Sequence, residues 1–227
     1  MKRSAVNDIL REGDAFLRSF GYRLPPFAYR SPDWMRQNRA SIGGIVEARL
    51  GWDITDYGQG RFDELGLFLF TVRNGRVRDL SRGRGMLYAE KIMISRDGQL
   101  SPMHRHVIKA EDIINRGGGR LVIELFMSDA EGGIDGRAPV RVPVDGMERK
   151  LEAGGLLKLD PGESVTLLPG VWHAFWAEQG DVLIGEVSTV NDDLTDNVFR
   201  DPIGRFADID EDEEPVHLLV SDYDRWL

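Results

Sequence analysis

The residue types best suited to bind a metal are concentrated in one segment near the middle of the 227-residue chain. His104 and His106 are separated by one residue, and Glu111 follows five residues later. If the segment is a strand, both imidazoles point to one face, about 6.6 Å apart along the chain. With His173 further on, three nitrogens and one carboxylate oxygen are available to a divalent metal. Such a ligand set leaves positions open for a substrate, which predicts metal-assisted chemistry.

A His-x-His pair alone is weak evidence for a metal site, because it is often only a polar pair on a strand surface. The spacing of the glycines and the glutamate around the pair is stronger evidence. The segment resembles the first signature of the cupin family through Gly98, His104, His106, Glu111 and Gly118. The resemblance implies an all-β fold, a cupin jelly-roll barrel, in which His104, His106 and Glu111 bind the metal.

A second, looser match adds another ligand. Gly162 and residues 169–170 precede His173 in an arrangement similar to the second cupin signature. The spacing before residue 169 is one residue longer than usual, and Ala177 stands where that signature often has asparagine. Neither difference removes His173, so the resemblance implies a site of three imidazoles and one carboxylate.

Composition narrows the class of protein. The net charge of −9 argues against nucleic acid and against an anionic membrane as partner. The chain has no cysteine, which fits a reducing compartment, and we expect a cytoplasmic location. Charged residues interrupt the apolar residues after Met1, so we expect no secretory leader. No run approaches the roughly 18 apolar residues of a membrane-spanning helix.

The sequence pattern of residues 1–41 predicts helices. Apolar residues recur at spacings of three, four and seven over residues 3–20. A second short helix is predicted from Pro32 to about Arg39, with Ser31 as its N-cap. No reactive constellation lies here. We therefore expect residues 1–41 to be a helical extension that packs on the barrel or forms a dimer interface.

The pattern of residues 42–227 predicts a β-sandwich or closed barrel, and the resemblance implies that this is the cupin β-barrel domain. Short apolar runs separated by glycine and proline indicate strands. Asn74-Gly75 is a tight hairpin signal, and Asp145-Gly146 indicates another turn. A last strand is possible at Val216–Val220. The other predicted strands are Leu67–Val72, Leu87–Ile94, Leu121–Phe126, Val140–Val144, Gly155–Leu159, Ser164–Leu168 and Val182–Val187.

Three longer runs extend the resemblance to one family, the cupin-type D-lyxose isomerases. These runs are MHRHVIKAEDIINRGGGRLVIELF, GEVSTVNDD and RFADIDEDEEP, within a resemblance that covers roughly residues 57–223. It implies an aldose–ketose isomerase that interconverts chiefly D-lyxose with D-xylulose and D-mannose with D-fructose. It also implies a divalent metal, typically Mn²⁺ with Zn²⁺, Co²⁺ or Fe²⁺ possible, and a homodimer.

The resemblance also implies catalytic residues. Lys109 corresponds to a functional lysine that polarises a sugar oxygen, although regular strand alternation would turn it outward, so a bend before Glu111 is required. The acid/base carboxylate is either Glu186, within an apolar strand, or Glu211, in the acidic segment near the C-terminus. Arg105 is expected to point away from the metal.

Several alternatives stay open on the sequence alone. The same ligands serve cupin dioxygenases and oxalate-type enzymes, and a non-catalytic sugar-binding cupin is a third possibility. A metal-assisted hydride shift competes with an enediol route. Trp172, Phe175 and Trp176 either line a sugar pocket or fill the core. His217, outside both signatures, is expected to be structural.

Overall fold

The computed structural model describes residues 1–193 and 195–227, and antiparallel strands dominate it. The strands are β1 Gly51–Thr55, β2 Leu67–Asn74, β3 Tyr88–Ser95, β4 Ser101–His106, β5 Glu111–Ser128, β6 Ile134–Asp135, β7 Val140–Val144, β8 Met147–Leu151, β9 Gly155–Leu159, β10 Ser164–Leu167, β11 Trp172–Thr189 and β12 Asn197–Phe199. The helices are α1 Arg3–Ser19, α2 Pro32–Gln37, α3 Gly43–Glu47, α4 Val77–Leu80 and α5 Tyr223–Trp226, with 3₁₀ turns at Pro26–Tyr29 and Val220–Asp222.

The strands form one curved sheet in the order β1-β2-β3-β11-β5-β10-β7-β8. β4 pairs with β11, β12 pairs with β4, and β6 and β9 pair with β5, so the sheet folds back on itself. Every pairing between these strands is antiparallel. This confirms the all-β cupin-type barrel that the sequence predicts.

β5 and β11 are 18-residue strands that pair with each other and bend together. The predicted strands Leu121–Phe126 and Val182–Val187 are only their second halves. The glycines at 117–119, expected to bound a strand, lie inside β5 where the pairing register shifts. A Cβ atom at Gly118 would lie 2.1 Å from the carbonyl oxygen of Asp181, so glycine is required where these backbones approach.

β2 shows how one strand is buried on both faces. Leu67 and Leu69 point into the barrel core, whereas the alternate residues Phe68 and Phe70 pack under α1. α1 presents an apolar face to this outer cluster, and a Cβ at Gly13 would lie 2.1 Å from the ring of Phe68. The barrel interior and the helix–sheet layer are therefore two separate apolar clusters on opposite faces of the same strands.

Both predicted N-terminal helices are confirmed. α2 begins after Ser31, whose hydroxyl accepts a hydrogen bond from the backbone N–H of Trp34 at 3.2 Å. The division at residue 41 stays a prediction. No helix among the residues with described coordinates is long and apolar enough to cross a membrane.

Two predictions for connecting segments are wrong. Asn74-Gly75 does not form a tight hairpin, because residues 75–87 and α4 separate β2 from β3. The Asn74 side chain instead donates to the carbonyl of Asn191 at 2.9 Å and accepts from its N–H at 3.0 Å. Residues 216–220 form no strand; Leu219 makes a single bridge to the first strand. The predicted turn after β7 is confirmed, with positive φ at both of its residues.

Candidate active site

A cavity lies inside the barrel, and side chains of two kinds line it. Most of the apolar side chains belong to the barrel core. The polar side chains include imidazole, carboxylate, ammonium and guanidinium groups. The apolar lining is Tyr57, Leu67, Leu69, Met93, Ile113, Phe175 and Phe199; the polar lining is Lys91, Ser101, His104, His106, Lys109, Glu111, His173, Glu186, Asp193, Asn197 and Arg205.

β4 supplies two of the imidazoles by strand alternation. His104 and His106 both line the cavity, and their ring centroids are 5.2 Å apart. Arg105 points away, as predicted, and its Nε donates to the carbonyl of Gly132 at 2.9 Å. Its guanidinium also lies over the ring of Trp172 at 5.4 Å.

The aromatic residues around the third imidazole separate into two groups. Phe175 lines the cavity, whereas Trp172 belongs to a buried cluster outside it. Trp176 does not line the cavity, and its Nε1 donates to Glu178 at 3.4 Å. The structure therefore gives only one of these three aromatic residues to the pocket wall.

Backbone carbonyls set the tautomer of two imidazoles. Nδ1 of His104 lies 2.8 Å from the carbonyl of Pro102, and Nδ1 of His173 lies 3.1 Å from that of Val171. A carbonyl can only accept, so Nδ1 carries the proton and Nε2 keeps a lone pair. This arrangement is typical of imidazoles that ligate a metal through Nε2.

The electrostatics also keep the imidazoles of His104 and His106 neutral. Burial, followed by the neighbouring imidazoles, holds the pKa of His104 well below its usual range. Burial and the ammonium of Lys109 lower the pKa of His106. Burial alone would raise the pKa of Glu111, but Lys109 and His106 outweigh it and hold that pKa well below the usual range. Neutral nitrogens and an ionised carboxylate are the forms that bind metals.

Orphaned polar atoms mark the centre of this cluster. Oε1 of Glu111 lies 3.3 Å from Nε2 of His106 and 3.2 Å from Nε2 of His173. Neither Oε1 of Glu111 nor Nε2 of His106 has a hydrogen-bond partner in the described part of the chain. The three imidazoles offer nitrogens within 4.8 Å of one another. Ligands about 2.0–2.2 Å from one ion are roughly 3 Å apart. The three imidazoles form a cluster that could hold a divalent cation, and Oε1 of Glu111 lies beside two of them.

A bend between β4 and β5 turns Lys109 into the cavity. The carboxylate of Asp196, which sequence reasoning missed, accepts hydrogen bonds from the N–H groups of residues 107, 108 and 109 at 2.8–3.0 Å. Nζ of Lys109 then lies 2.6 Å from Glu111 Oε2 and 3.0 Å from Glu186 Oε1. Burial disfavours the ammonium, but these two carboxylates outweigh it and hold the pKa of Lys109 above its usual value.

Glu186 reaches the cavity through the alternation of β11. Ile184 points into the barrel core, so Glu186, two residues later, points to the same side. Its partner across the ladder is Lys91 of β3, whose Nζ lies 3.8 Å from Oε1 of Glu186. The structure therefore places this carboxylate in the cavity, beside two lysines.

Three further charged residues of the cavity were missed. Asp193 lies 3.3 Å from Nζ of Lys91 and 3.5 Å from Nη2 of Arg205. Burial opposes its ionisation, but these two cations hold the pKa of Asp193 below its usual range. A signal existed for Lys91, a lone lysine in the strand-like run at residues 87–94. Asp193 and Arg205 stand in the quoted family runs, yet nothing in their spacing places them together.

Glu211, the second candidate for the acid/base role, lies elsewhere. It does not line the cavity, and its carboxylate accepts from Nε of Arg3 at 2.8 Å and from Arg225 at 3.2 Å. The structure therefore gives it no contact with the other predicted site residues. His217 also lies outside, where its ring stacks on Trp52 with centroids 5.9 Å apart.

The barrel and its buried cluster of imidazoles and carboxylate define a cupin-type protein. The model of one family, described as D-lyxose isomerase, matches residues 1–223. The chain belongs to this D-lyxose isomerase family, whose members are sugar isomerases.

Similar proteins agree with this assignment. A D-lyxose/D-mannose isomerase of Serratia proteamaculans is 47% identical over the full length of both chains. One from Escherichia coli O157:H7 is also 47% identical, over 98% of each chain. Among solved structures, L-ribose isomerase of Cellulomonas parahominis has a TM-score of 0.62 at 15% identity, covering 92% of this chain and 98% of that one. That of Acinetobacter sp. DL28 has a TM-score of 0.62 at 16% identity with the same coverage. At this identity the likeness concerns the fold.

Proposed function

We propose that the protein is a metal-dependent aldose–ketose isomerase that interconverts D-lyxose with D-xylulose, and D-mannose with D-fructose. The observation that carries the proposal is the convergence of Lys109 and Glu186 beside the imidazole cluster in one buried cavity. The names of the two 47%-identical relatives support these sugars as substrates.

The metal ligands in this proposal are His104, His106, Glu111 and His173. Their orphaned atoms and fixed tautomers support that assignment. A bound divalent ion would supply Lewis acidity towards the carbonyl and the adjacent hydroxyl oxygen of the sugar. Mn²⁺ is the ion we expect, with Zn²⁺, Co²⁺ and Fe²⁺ as alternatives that the same donor set accepts.

Glu186 is the acid/base residue in this account. Its carboxylate removes the proton from C2 of the aldose, the C–H electrons form the C1–C2 double bond, and the π electrons of the C1 carbonyl move onto O1. The hydroxyl proton of O2 passes to O1. O2 then forms the ketone carbonyl, while the electrons of the C1–C2 double bond take the proton back from Glu186 at C1. The reaction is redox-neutral overall and needs no co-reactant.

Lys109 stabilises the negative charge that develops while Glu186 moves the proton. Because neighbouring carboxylates raise its pKa, its side chain remains an ammonium at neutral pH. It donates a hydrogen bond to the sugar oxygen on which negative charge develops, which stabilises the enediol-like transition state. Glu211 has no part in the proposal.

The experiment that tests this function strips the protein with a chelator, restores Mn²⁺, and assays ketose formation from D-lyxose and D-mannose. We expect activity that depends on the metal and is lost in His104→Ala. A protein that binds one metal per chain but converts neither sugar would contradict the proposal. Oxygen consumption, or sugar binding without turnover, would then indicate a dioxygenase or a sugar-binding cupin.

Two further properties belong to this proposal. We expect a homodimer, which light scattering of the purified protein will measure as twice the 25.6 kDa chain mass. The cytoplasmic location stays a prediction from the sequence.

A further inference from the structure

The charged side chains of the cavity form a chain of alternating sign. Glu111 contacts Lys109, and Lys109 contacts Glu186. Glu186 lies 3.8 Å from Nζ of Lys91, and Lys91 lies 3.3 Å from Asp193. Lys109 therefore lies between Glu111 and Glu186, beside the imidazoles. Lys91 lies between Glu186 and Asp193, further away from them.

Lys91 is buried in a place that an apolar residue would otherwise occupy. It shares the inward face of β3 with Met93 of the barrel core and is 3% exposed. A buried ammonium is costly unless opposite charges surround it. Asp193 and Glu186 supply those charges, and the β3–β11 ladder sets Lys91 directly opposite Glu186.

The mechanism proposed above makes a second cation beside Glu186 necessary. When the ammonium of Lys109 turns towards the sugar, its contact with Glu186 is lost. Lys91 is the other cation within 4.0 Å of Glu186 in the described part of the chain. A buried carboxylate without a counter-charge takes up a proton and cannot act as a base.

We infer that Lys91 is a positioning residue of the isomerisation: its ammonium holds the carboxylates of Glu186 and Asp193 in place and supplies the counter-charge to Glu186 while Lys109 engages the sugar. The inference rests on the proposed function, which makes Glu186 the base. Lys91 acts through these carboxylates and makes no contact with the reacting atoms.

The surroundings of Glu186 are charged on several sides. Lys109 and Lys91 contact Glu186 directly, and Glu111, Asp193 and Arg205 line the same cavity. Glu90 and Arg116 line a second groove, which Glu186 and Lys91 also line.

The kinetic experiment compares kcat and KM across pH for the wild type, Lys91→Met and Lys91→Arg. Lys158→Met is the matched control, since Lys158 pairs with Glu178 on the exposed barrel surface. We expect Lys91→Met to lower kcat about tenfold at pH values on the acidic limb and less on the plateau, with KM within about threefold. The acidic limb of its kcat profile should move up by about one pH unit, which corresponds to that factor of ten. Lys91→Arg, which restores the charge, should return the limb to its wild-type position.

A second readout does not depend on catalysis. The Glu186 carboxyl carbon, labelled with ¹³C and assigned through Glu186→Gln, is titrated by NMR in the metal-free protein. We expect its titration midpoint to move up by about one pH unit in Lys91→Met and to be unchanged in Lys158→Met. Lys91→Gln takes the place of Lys91→Met if the latter does not fold.

The outcomes separate this inference from the proposed function. A wild type without isomerase activity refutes the proposed function, and the NMR titration still decides whether Lys91 controls the charge of Glu186. An unmoved Glu186 titration overturns the inference. A uniform loss of kcat at every pH, with an unmoved acidic limb, also overturns it, because a merely structural role predicts that pattern.

Discussion

At the scale of single residues, the side chains of the site are oriented by hydrogen bonds that could not be predicted from the sequence. Backbone carbonyls fix two imidazoles, and Asp196 fixes the bend that turns Lys109 inward. His104 and His106 were predictable because their spacing is local, whereas His173 was assigned through its resemblance to the second cupin signature. Asp193 and Lys91 are 102 positions apart and meet only after the strands have paired, so no spacing could reveal their contact.

Lys109 offers a prediction at this scale. Lys109→Met should lower kcat about a hundredfold, because it removes one hydrogen-bond donor from the transition state. Metal affinity should not fall, since the ammonium that competes with the metal for Glu111 is gone. Steady-state kinetics and metal titration by calorimetry measure both effects.

The matched control for that variant is Lys158→Met, which removes an exposed lysine and its surface ion pair. It should leave kcat and metal affinity unchanged. A loss of metal binding in Lys109→Met would contradict the separation of roles between the lysine and the four proposed ligands.

At the scale of elements, the sequence predicted where strands occur better than how long they are. Local periodicity identified β2, β7, β9 and β10 closely. It found only the second halves of β5 and β11, because glycines that usually end a strand lie here at a bend between two paired strands. The tight hairpin predicted at residues 74–75 is wrong because the side chain of Asn74 makes long-range hydrogen bonds to Asn191 instead of taking part in a local turn.

Gly118 tests the account of that bend. Gly118→Ala should lower the free energy of unfolding by about 2–4 kcal/mol, since it combines a positive φ of 97° with a Cβ only 2.1 Å from the carbonyl oxygen of Asp181. Denaturant unfolding measures the difference. Gly162→Ala is the control, because Gly162 has a φ of 100° with no atom within 4 Å of its Cβ. Equal losses in both variants would refute the close-approach argument.

At the scale of the whole molecule, the two ends of the chain are tied together. Arg3 of α1 is fully buried and donates to both Glu211 and Asp222 near the C-terminus. Removing one partner of a buried cation is costly, so this cluster fixes α1 against the end of the chain. The acidic segment that contains Glu211 is thus anchored to the first helix.

The pH dependence of the stability of the Glu211→Gln variant tests the contribution of the contact between Arg3 and Glu211. The Arg3 guanidinium holds the pKa of Glu211 below its usual 4.5 in the folded state. A depressed folded-state pKa stabilises the protein above the unfolded pKa, and that contribution is lost as pH falls through the folded pKa. We expect the variant to lose about 1–2 kcal/mol of stability at pH 7, with a smaller difference from wild type below pH 4.5.

Denaturant unfolding of both proteins at several pH values measures that difference. Glu148→Gln is a suitable control, because Glu148 pairs with Arg141 at the exposed surface and should change stability little at any pH. A Glu211→Gln difference that does not change with pH would show that the ionised carboxylate contributes nothing.

The measurement that tests the central claim most directly is the conversion of D-lyxose by the Mn²⁺-loaded protein in D₂O, followed by NMR of the ketose. If Glu186 carries the proton between C2 and C1, the product should contain deuterium at C1, and Glu186→Gln should form no ketose. Ketose formed rapidly without deuterium, and formed equally by Glu186→Gln, would contradict the enediol account and indicate a hydride shift.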